Sequence, residues 1–223
     1  MGSAEHPDVA PDCLRVLHVD PHLLAFDKPS GLLSVPGRGP DRQDCLATRA
    51  AAAWPDARIV HRLDMATSGV IVMARGEAMQ RALSIAFADR EIDKRYVAVV
   101  AGWPTADAGE IDLPLLTDWP NRPRQMVDAI AGKPSLTRWR VLSRDTAGDG
   151  SRRTRLALTP VTGRSHQLRV HLQAIGHPIL GDALYADDDA RAAAPRLLLH
   201  AETLAMSHPA HGAGLTLTCP VPF

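Results

Sequence analysis

Apolar residues come in short clusters along this chain, and the spacing between them changes several times. Residues 14–19 (Leu-Arg-Val-Leu-His-Val) and 23–26 (Leu-Leu-Ala-Phe) read as two short strands joined by a turn at Asp20-Pro21. Lys28-Pro29-Ser30-Gly31 is a second turn, and 32–35 a third extended piece ending at Pro36-Gly37. The Ala-rich stretch 45–54 is predicted to be a helix stopped by Pro55. Val70-Ile71-Val72-Met73 is mostly β-branched, bounded by Gly69 and Arg75, and suits a buried strand. From 77 to 88 the apolar residues Ala78, Met79, Ala82, Leu83, Ala86 and Phe87 recur at helical spacing.

The second half is richer in alternation. Residues 94–100 read as a strand and 102–109 as a loop. Two prolines keep 118–124 out of regular structure, because each removes a donor and fixes φ. Residues 136–142 and 154–158 alternate and flank a hairpin tip at Gly148-Asp149-Gly150. A helix is predicted over 165–175, capped by Ser165, with Leu168, Leu172 and Ile175 on one face and Gly176-His177-Pro178 as its end. Residues 197–200, 204–206 and 215–218 are late strands. The expected fold is α+β, a mixed, largely antiparallel sheet with flanking helices. Residues 1–13 are expected to be a flexible lead-in and 14–223 a single domain.

Composition narrows the class. With 223 residues, 45% of them apolar, the chain can bury a sizeable core unaided. No apolar run approaches the roughly 20 residues of a membrane span, and the first residues carry no hydrophobic segment, so the expectation is a cytoplasmic monomer without membrane contact. Cys13, Cys45 and Cys219 are far apart and odd in number, which argues against a disulfide framework or a zinc site. His166 and His171 lie five apart, a poor spacing for two ligands on one helical face, so neither metal nor cofactor is expected. Basic and acidic residues balance at 25 each. Their distribution is uneven: residues 121–171 hold ten arginines and one lysine against three aspartates. A local basic surface can hold phosphate whatever the total charge.

The candidate chemistry centres on His61-Arg62-Leu63-Asp64-Met65-Ala66-Thr67-Ser68-Gly69, which runs directly into the predicted strand at 70–73. One carboxylate sits between a basic pair and a small polar turn, and a charge beside a buried strand needs a partner. From the residues alone, Asp64 is either a reacting group or a structural acid capping the turn through the amides of Thr67 and Ser68.

This run resembles the motif HRLDxxTSG of the RluA family of pseudouridine synthases, in which the Asp is catalytic. Further segments are similar to the same family in order and spacing: Lys94-Arg95-Tyr96-Val97-Ala98, residues 162–171 (Thr-Gly-Arg-Ser-His-Gln-Leu-Arg-Val-His), Gly176-His177-Pro178-Ile179-Leu180-Gly181-Asp182, and Leu197-Leu198-Leu199-His200-Ala201. The similarity runs from about Leu14 to Phe223. It implies an RNA-modifying isomerase with Asp64 as catalytic residue, Tyr96 in the active site and Arg164 paired with Asp64. Residues 28–38 and 118–124 further resemble the family members that modify both a hairpin loop of 23S ribosomal RNA and a tRNA anticodon stem-loop. Many relatives carry a separate RNA-binding domain. None fits ahead of Leu14 here, so the catalytic domain is expected to bind RNA alone.

The expected RNA contacts are His61, Arg62, Trp119, Asn121, Arg122, Arg124 and Arg169. Bland readings stand beside these. Tyr96 on a strand can be core packing, Arg164 a surface phosphate contact, and Arg62 an ordinary ion pair. The reaction implied detaches uracil from ribose through nitrogen and reattaches it through carbon, after the base is flipped out of its stack. Asp64 then either attacks the anomeric carbon or removes the neighbouring ribose proton. A glycoside hydrolase is the competing enzyme class, but it usually needs two carboxylates, and none accompanies Asp64 in its motif. A non-catalytic RNA-binding protein is the other alternative.

Overall fold

The computed structural model describes residues 14–223; the lead-in expected at 1–13, with Cys13, lies outside the described residues. In chain order the strands are β1 (Arg15–Val19), β2 (Leu23–Lys28), β3 (Ala57–Ile59), β4 (Ser68–Arg75), β5 (Asp93–Ala101) and β6 (Ala108–Asp112), then β7 (Leu115–Thr117), β8 (Gln125–Val127), β9 (Leu136–Thr146), β10 (Arg152–Pro160), β11 (Leu199–Ser207) and β12 (Gly214–Thr218). The helices are α1 (Leu46–Ala53), α2 (Gly76–Ala88), α3 (Gln167–Ala174) and α4 (Asp188–Ala192). The class is α+β, with a large, mainly antiparallel sheet and few helices.

The chain divides into two compact units. The first holds the residues up to Ile92 together with Ala205–Cys219. In it β1, β2 and β4 follow one another antiparallel, with β3 also pairing with β4. The side chains of Leu23, Leu24, Ala25 and Phe26 are fully buried, and so are nearly all of those from Val70 to Ala74. Both faces of these strands are covered, which is why they read as continuous apolar runs. Each such Leu or Phe contributes about 2 kcal/mol of burial. Leu83 of α2 and Leu46, Ala50 and Trp54 around α1 complete this core, and Phe26 meets Trp54 edge-on at 5.7 Å. Cys45 caps α1, its Sγ accepting the Thr48 N–H at 3.4 Å.

The second unit spans Asp93–Leu204 and Pro220–Phe223. Its strands run β5, β10, β9, β6 in order, and β7 and β8 form a separate two-stranded ribbon. Val97 to Val100 and Leu156 to Leu158 make the buried centre. Gly176-His177-Pro178-Ile179-Leu180-Gly181-Asp182 lies along β5, with Leu180 N–H on Val99 O at 2.9 Å and Ala101 N–H on Pro178 O at 2.9 Å. Gly181 has φ +73, and a Cβ there would stand 1.9 Å from Arg196 O.

Three local expectations are corrected. The stretch 102–109 is not all loop, because β6 begins at Ala108. Its residues are poor strand formers, and only the ladder offered by β9 makes them extended. The separate strands expected at 197–200 and 204–206 are one strand, β11, in which Glu202 pairs with Arg95 at 3.0 Å instead of breaking it. Ser165 does not cap the third helix. That helix starts at Gln167 after His166, which adopts φ 53 and gives no side-chain cap.

Candidate functional site

In the first unit, the loop from His61 to Thr67 is fastened almost residue by residue. Ser34 Oγ donates to Leu63 O at 2.7 Å and accepts the Leu63 N–H at 3.1 Å. Gly31 N–H donates to Met65 O at 2.8 Å, Ser30 Oγ to Ala66 O at 2.7 Å, and Thr67 N–H to Asp64 O at 3.1 Å. The last of these braces is a charge. Lys28 closes β2 opposite Gly69, is fully buried, and sends its ammonium to the carbonyls of Pro29 (2.9 Å), Leu32 (2.8 Å) and Met65 (3.1 Å). Three donors meet three acceptors. Burial pulls the Lys28 pKa down to about 8, against the opposing charges of Asp64 and Asp27.

Asp64 is therefore a half-exposed carboxylate on a loop whose backbone is held on both sides of it. Arg62 is exposed beside it. His61 straps the loop to the sheet: its Nε2 accepts the Val72 N–H at 2.9 Å and its ring stacks on Phe87 at 4.4 Å. Lys28, Ser30 and Ser34 carry roles that the residues alone did not announce. A lysine closing a strand that opens with four apolar residues was the available signal.

In the second unit, Tyr96 is half-buried on β5, opposite Leu158. Arg164 is exposed on the turn before α3; its N–H donates to Gln167 Oε1 at 3.0 Å and its Nε to Pro134 O at 3.4 Å. Gln167 is the hub. Its Oε1 also accepts the Thr162 hydroxyl at 2.7 Å, and its Nε2 donates to Leu136 O (2.9 Å) and Thr137 Oγ1 (3.0 Å). All of its hydrogen-bonding positions are used.

His171 extends the network, with Nδ1 on Thr137 Oγ1 at 3.0 Å and Nε2 on Leu113 O at 2.9 Å. A carbonyl only accepts, so Nε2 carries the proton and Nδ1 accepts from the hydroxyl. Burial lowers the His171 pKa, outweighing its Leu113 hydrogen bond and the charge of Asp112.

Arg169 is not on an RNA-facing surface. It is 5% exposed and forks onto Asp182, itself fully buried, at 2.8 and 2.6 Å. Its guanidinium is spent on a structural pair, so the RNA contact expected of Arg169 is corrected. Arg138, Arg144 and Arg153 are paired with Glu110, Asp107 and Asp145. Arg122, Arg124, Arg140, Arg152 and Arg164 have no carboxylate partner among the described residues, which leaves the basic surface smaller than the arginine count suggests.

Residues 118–124 close on themselves. Asp118 N–H donates to Arg124 O at 3.0 Å, and the Asn121 amide donates to both Asp118 carboxylate oxygens at 3.1 and 3.0 Å. Asn121 is thus a loop-closing residue through its NH2 group. Trp119 is 65% exposed, and the Arg122 guanidinium lies 4.6 Å from its ring centroid while Arg122 Nε holds Trp119 O at 3.1 Å. The loop presents an aromatic plate and two cations in one fixed arrangement. Among the described residues no three His, Cys, Asp or Glu side chains converge as metal ligands, and no helix is long and apolar enough to cross a membrane.

A family model described as RNA pseudouridylate synthase matches residues 22–174. The chain is 53% identical over 210 residues, 94% of both chains, to a protein of Escherichia coli O6:H1 named dual-specificity RNA pseudouridine synthase RluA. It is 52% identical over 208 residues, 93% of this chain and 99% of the other, to the protein of that name in Yersinia pestis. Among solved structures, human RNA Pseudouridylate Synthase Domain Containing 1 superposes with a TM-score of 0.79 at 28% identity, covering 97% of this chain and 86% of that one. Human RNA Pseudouridylate Synthase Domain Containing 4 gives 0.72 at 28%, with 93% and 88% covered.

Two outcomes follow from this geometry. Replacing Lys28 by Met leaves buried carbonyls without donors, and should lower unfolding free energy by about 3 kcal/mol in urea titration. The second concerns pH. His171 has a folded-state pKa below its unfolded value of about 6.5, so its contribution to stability is complete above that value and is lost as pH falls. Melting temperature should drop between pH 7.5 and 5, and His171→Gln should flatten that slope.

Proposed function

Because the chain belongs to the RNA pseudouridylate synthase family and is an RNA pseudouridine synthase, we propose that it isomerises uridines in two structured RNAs, a hairpin loop of 23S ribosomal RNA and a tRNA anticodon stem-loop. The dual specificity named for its relatives supports this substrate pair. Residues 14–223 are the proposed catalytic domain, acting as a monomer in the cytoplasm, where both RNAs are found.

The single observation that carries the chemistry is the half-exposed Asp64 on a loop fastened at Leu63, Met65 and Ala66. The bond from uracil N1 to the ribose breaks, a bond from C5 forms, the proton on C5 leaves and N1 ends protonated. Nothing is oxidised or reduced, and no co-reactant is needed. The sugar needs one carboxylate held at a set distance, either as nucleophile or as base toward the neighbouring ribose proton. A braced loop supplies it.

Tyr96 is the proposed ring against the flipped uracil and acceptor side for the C5 proton; Arg164 is the proposed guanidinium that keeps the catalytic carboxylate ionised. Arg62 is proposed to fill the gap left by the extruded base. Trp119, Arg122 and Arg124 are the proposed grip on the RNA loop, through stacking and phosphate contacts. Recognition then rests on loop shape, and one enzyme can accept two unrelated RNAs that share it.

The test uses short synthetic hairpins copied from the 23S loop and from a tRNA anticodon arm, with pseudouridine mapped by chemical labelling. Both should be modified. Asp64→Asn should lose more than about 10³-fold in turnover while RNA affinity and melting temperature stay near wild type. Measurable turnover above background would remove Asp64 from the reaction. Changing Trp119 and Arg122 together to Ala should raise the dissociation constant of both hairpins roughly 10–100-fold. Independent responses of the two hairpins would dismiss the shared-loop reading.

A further inference from the structure

We propose that Tyr185 is a positioning residue that ties the loop 118–124 to the turn carrying Arg164, so that a seated RNA loop sets the orientation of the catalytic guanidinium. The inference rests on the proposed roles of Trp119 and Arg164 and adds the link between them.

The link is laid out in consecutive contacts within the second unit. The Gln125 N–H, where the loop returns to β8, donates to Tyr185 Oη at 2.8 Å. The same oxygen is 2.7 Å from His166 Nδ1, two residues after Arg164. The aromatic ring is 6% exposed and packs in one apolar cluster with Leu115 of β7 and Val170 of α3. Arg124 of the loop lies over the ring at 5.5 Å, and Arg169, anchored by Asp182, lies over it at 5.0 Å. One phenol therefore touches the foot of the loop 118–124 through its oxygen and its face. It touches the start of α3 through the same oxygen.

His166 is the weak point that makes the link useful. It holds a left-handed conformation at φ 53, and no side chain caps the helix that follows. A non-glycine residue keeps such a conformation only when its surroundings impose it. Tyr185 Oη is one of those constraints. A shift of the loop that moves Gln125 N–H or the Arg124 plane moves the hydroxyl, and with it the His166 ring and the turn in front of it. Small displacements of a positioned group are costly in rate.

The experiment measures single-turnover rates at saturating anticodon-arm hairpin, alongside hairpin affinity and melting temperature. Tyr185→Phe keeps the ring and both stacked guanidiniums and removes only the hydroxyl. Its saturated rate should fall roughly tenfold, the scale of a positioning hydrogen bond. His166→Ala removes the same bond from its other end, and should lose a similar factor, with the double variant no worse than either single one. In wild-type background Trp119→Ala should lower both affinity and saturated rate. In the Tyr185→Phe background it should lower affinity alone, because the link is already cut.

A Tyr185→Phe variant with altered melting temperature and unchanged saturated rate would make the residue merely structural. Independent multiplication of the Trp119→Ala and Tyr185→Phe rate losses would overturn the coupling while leaving the function intact. If Trp119→Ala and Arg164→Met change neither affinity nor rate, the roles on which the coupling rests are wrong, and it fails with them.

Discussion

A buried ammonium cannot be left without partners, and Lys28 is a buried ammonium. The cost of stranding it, several kcal/mol, exceeds what any single contact in the surrounding loop supplies. Its three carbonyl acceptors come from residues 29, 32 and 65, so the turn after β2 and the loop bearing Asp64 must keep their positions together. Loops normally carry function at some loss of precision. Here the carboxylate proposed to react stays on a loop for access, and the lysine ties that loop to the buried end of β2. The apolar interior behind it, β2 and β4, only has to present the lysine at the strand end.

The second unit reaches the same stiffness without burying an unpaired charge. Gln167 and His171 do it as neutral groups, each with its hydrogen bonds filled, and the one deeply buried cation, Arg169, is matched by Asp182. The division of labour among the arginines follows. Those drawn inward or paired with neighbouring acids shape the protein, while Arg122 and Arg124 remain on a loop that is itself closed by Asp118 and Asn121. A preordered loop gives up little entropy on meeting RNA. A balanced total charge is compatible with this, because the arginines proposed to meet phosphate are few and placed.

How far could the residues alone be read? The β-branched run 70–73, the helical spacing of 77–88 and the alternation of 154–158 were legible, since each depends on which face of one element is covered. The motifs single out Asp64, Tyr96 and Arg164 as the proposed site. The motifs did not separate reacting residues from braces. His61 and Arg169 look as functional as Asp64 when written in a line, yet one straps a strand amide and the other completes a buried ion pair. Ser165 carries the chemistry of a helix cap and does not act as one, because the helix begins only at Gln167, after a left-handed His166.

What the sequence determined by itself is therefore most of the longer elements, the family and the short list of chemical groups, all encoded within windows of a dozen residues. The tertiary structure alone decided which polar side chains hold the others in place. Those bonds join residues far apart in the chain: 37 positions separate Lys28 from Met65, 31 separate Gln167 from Leu136, and 60 separate Gln125 from Tyr185. A local pattern records hydrophobic faces, turns and caps, whereas a side chain meeting a distant carbonyl leaves no periodicity behind. Its partner exists only after the chain has closed on itself.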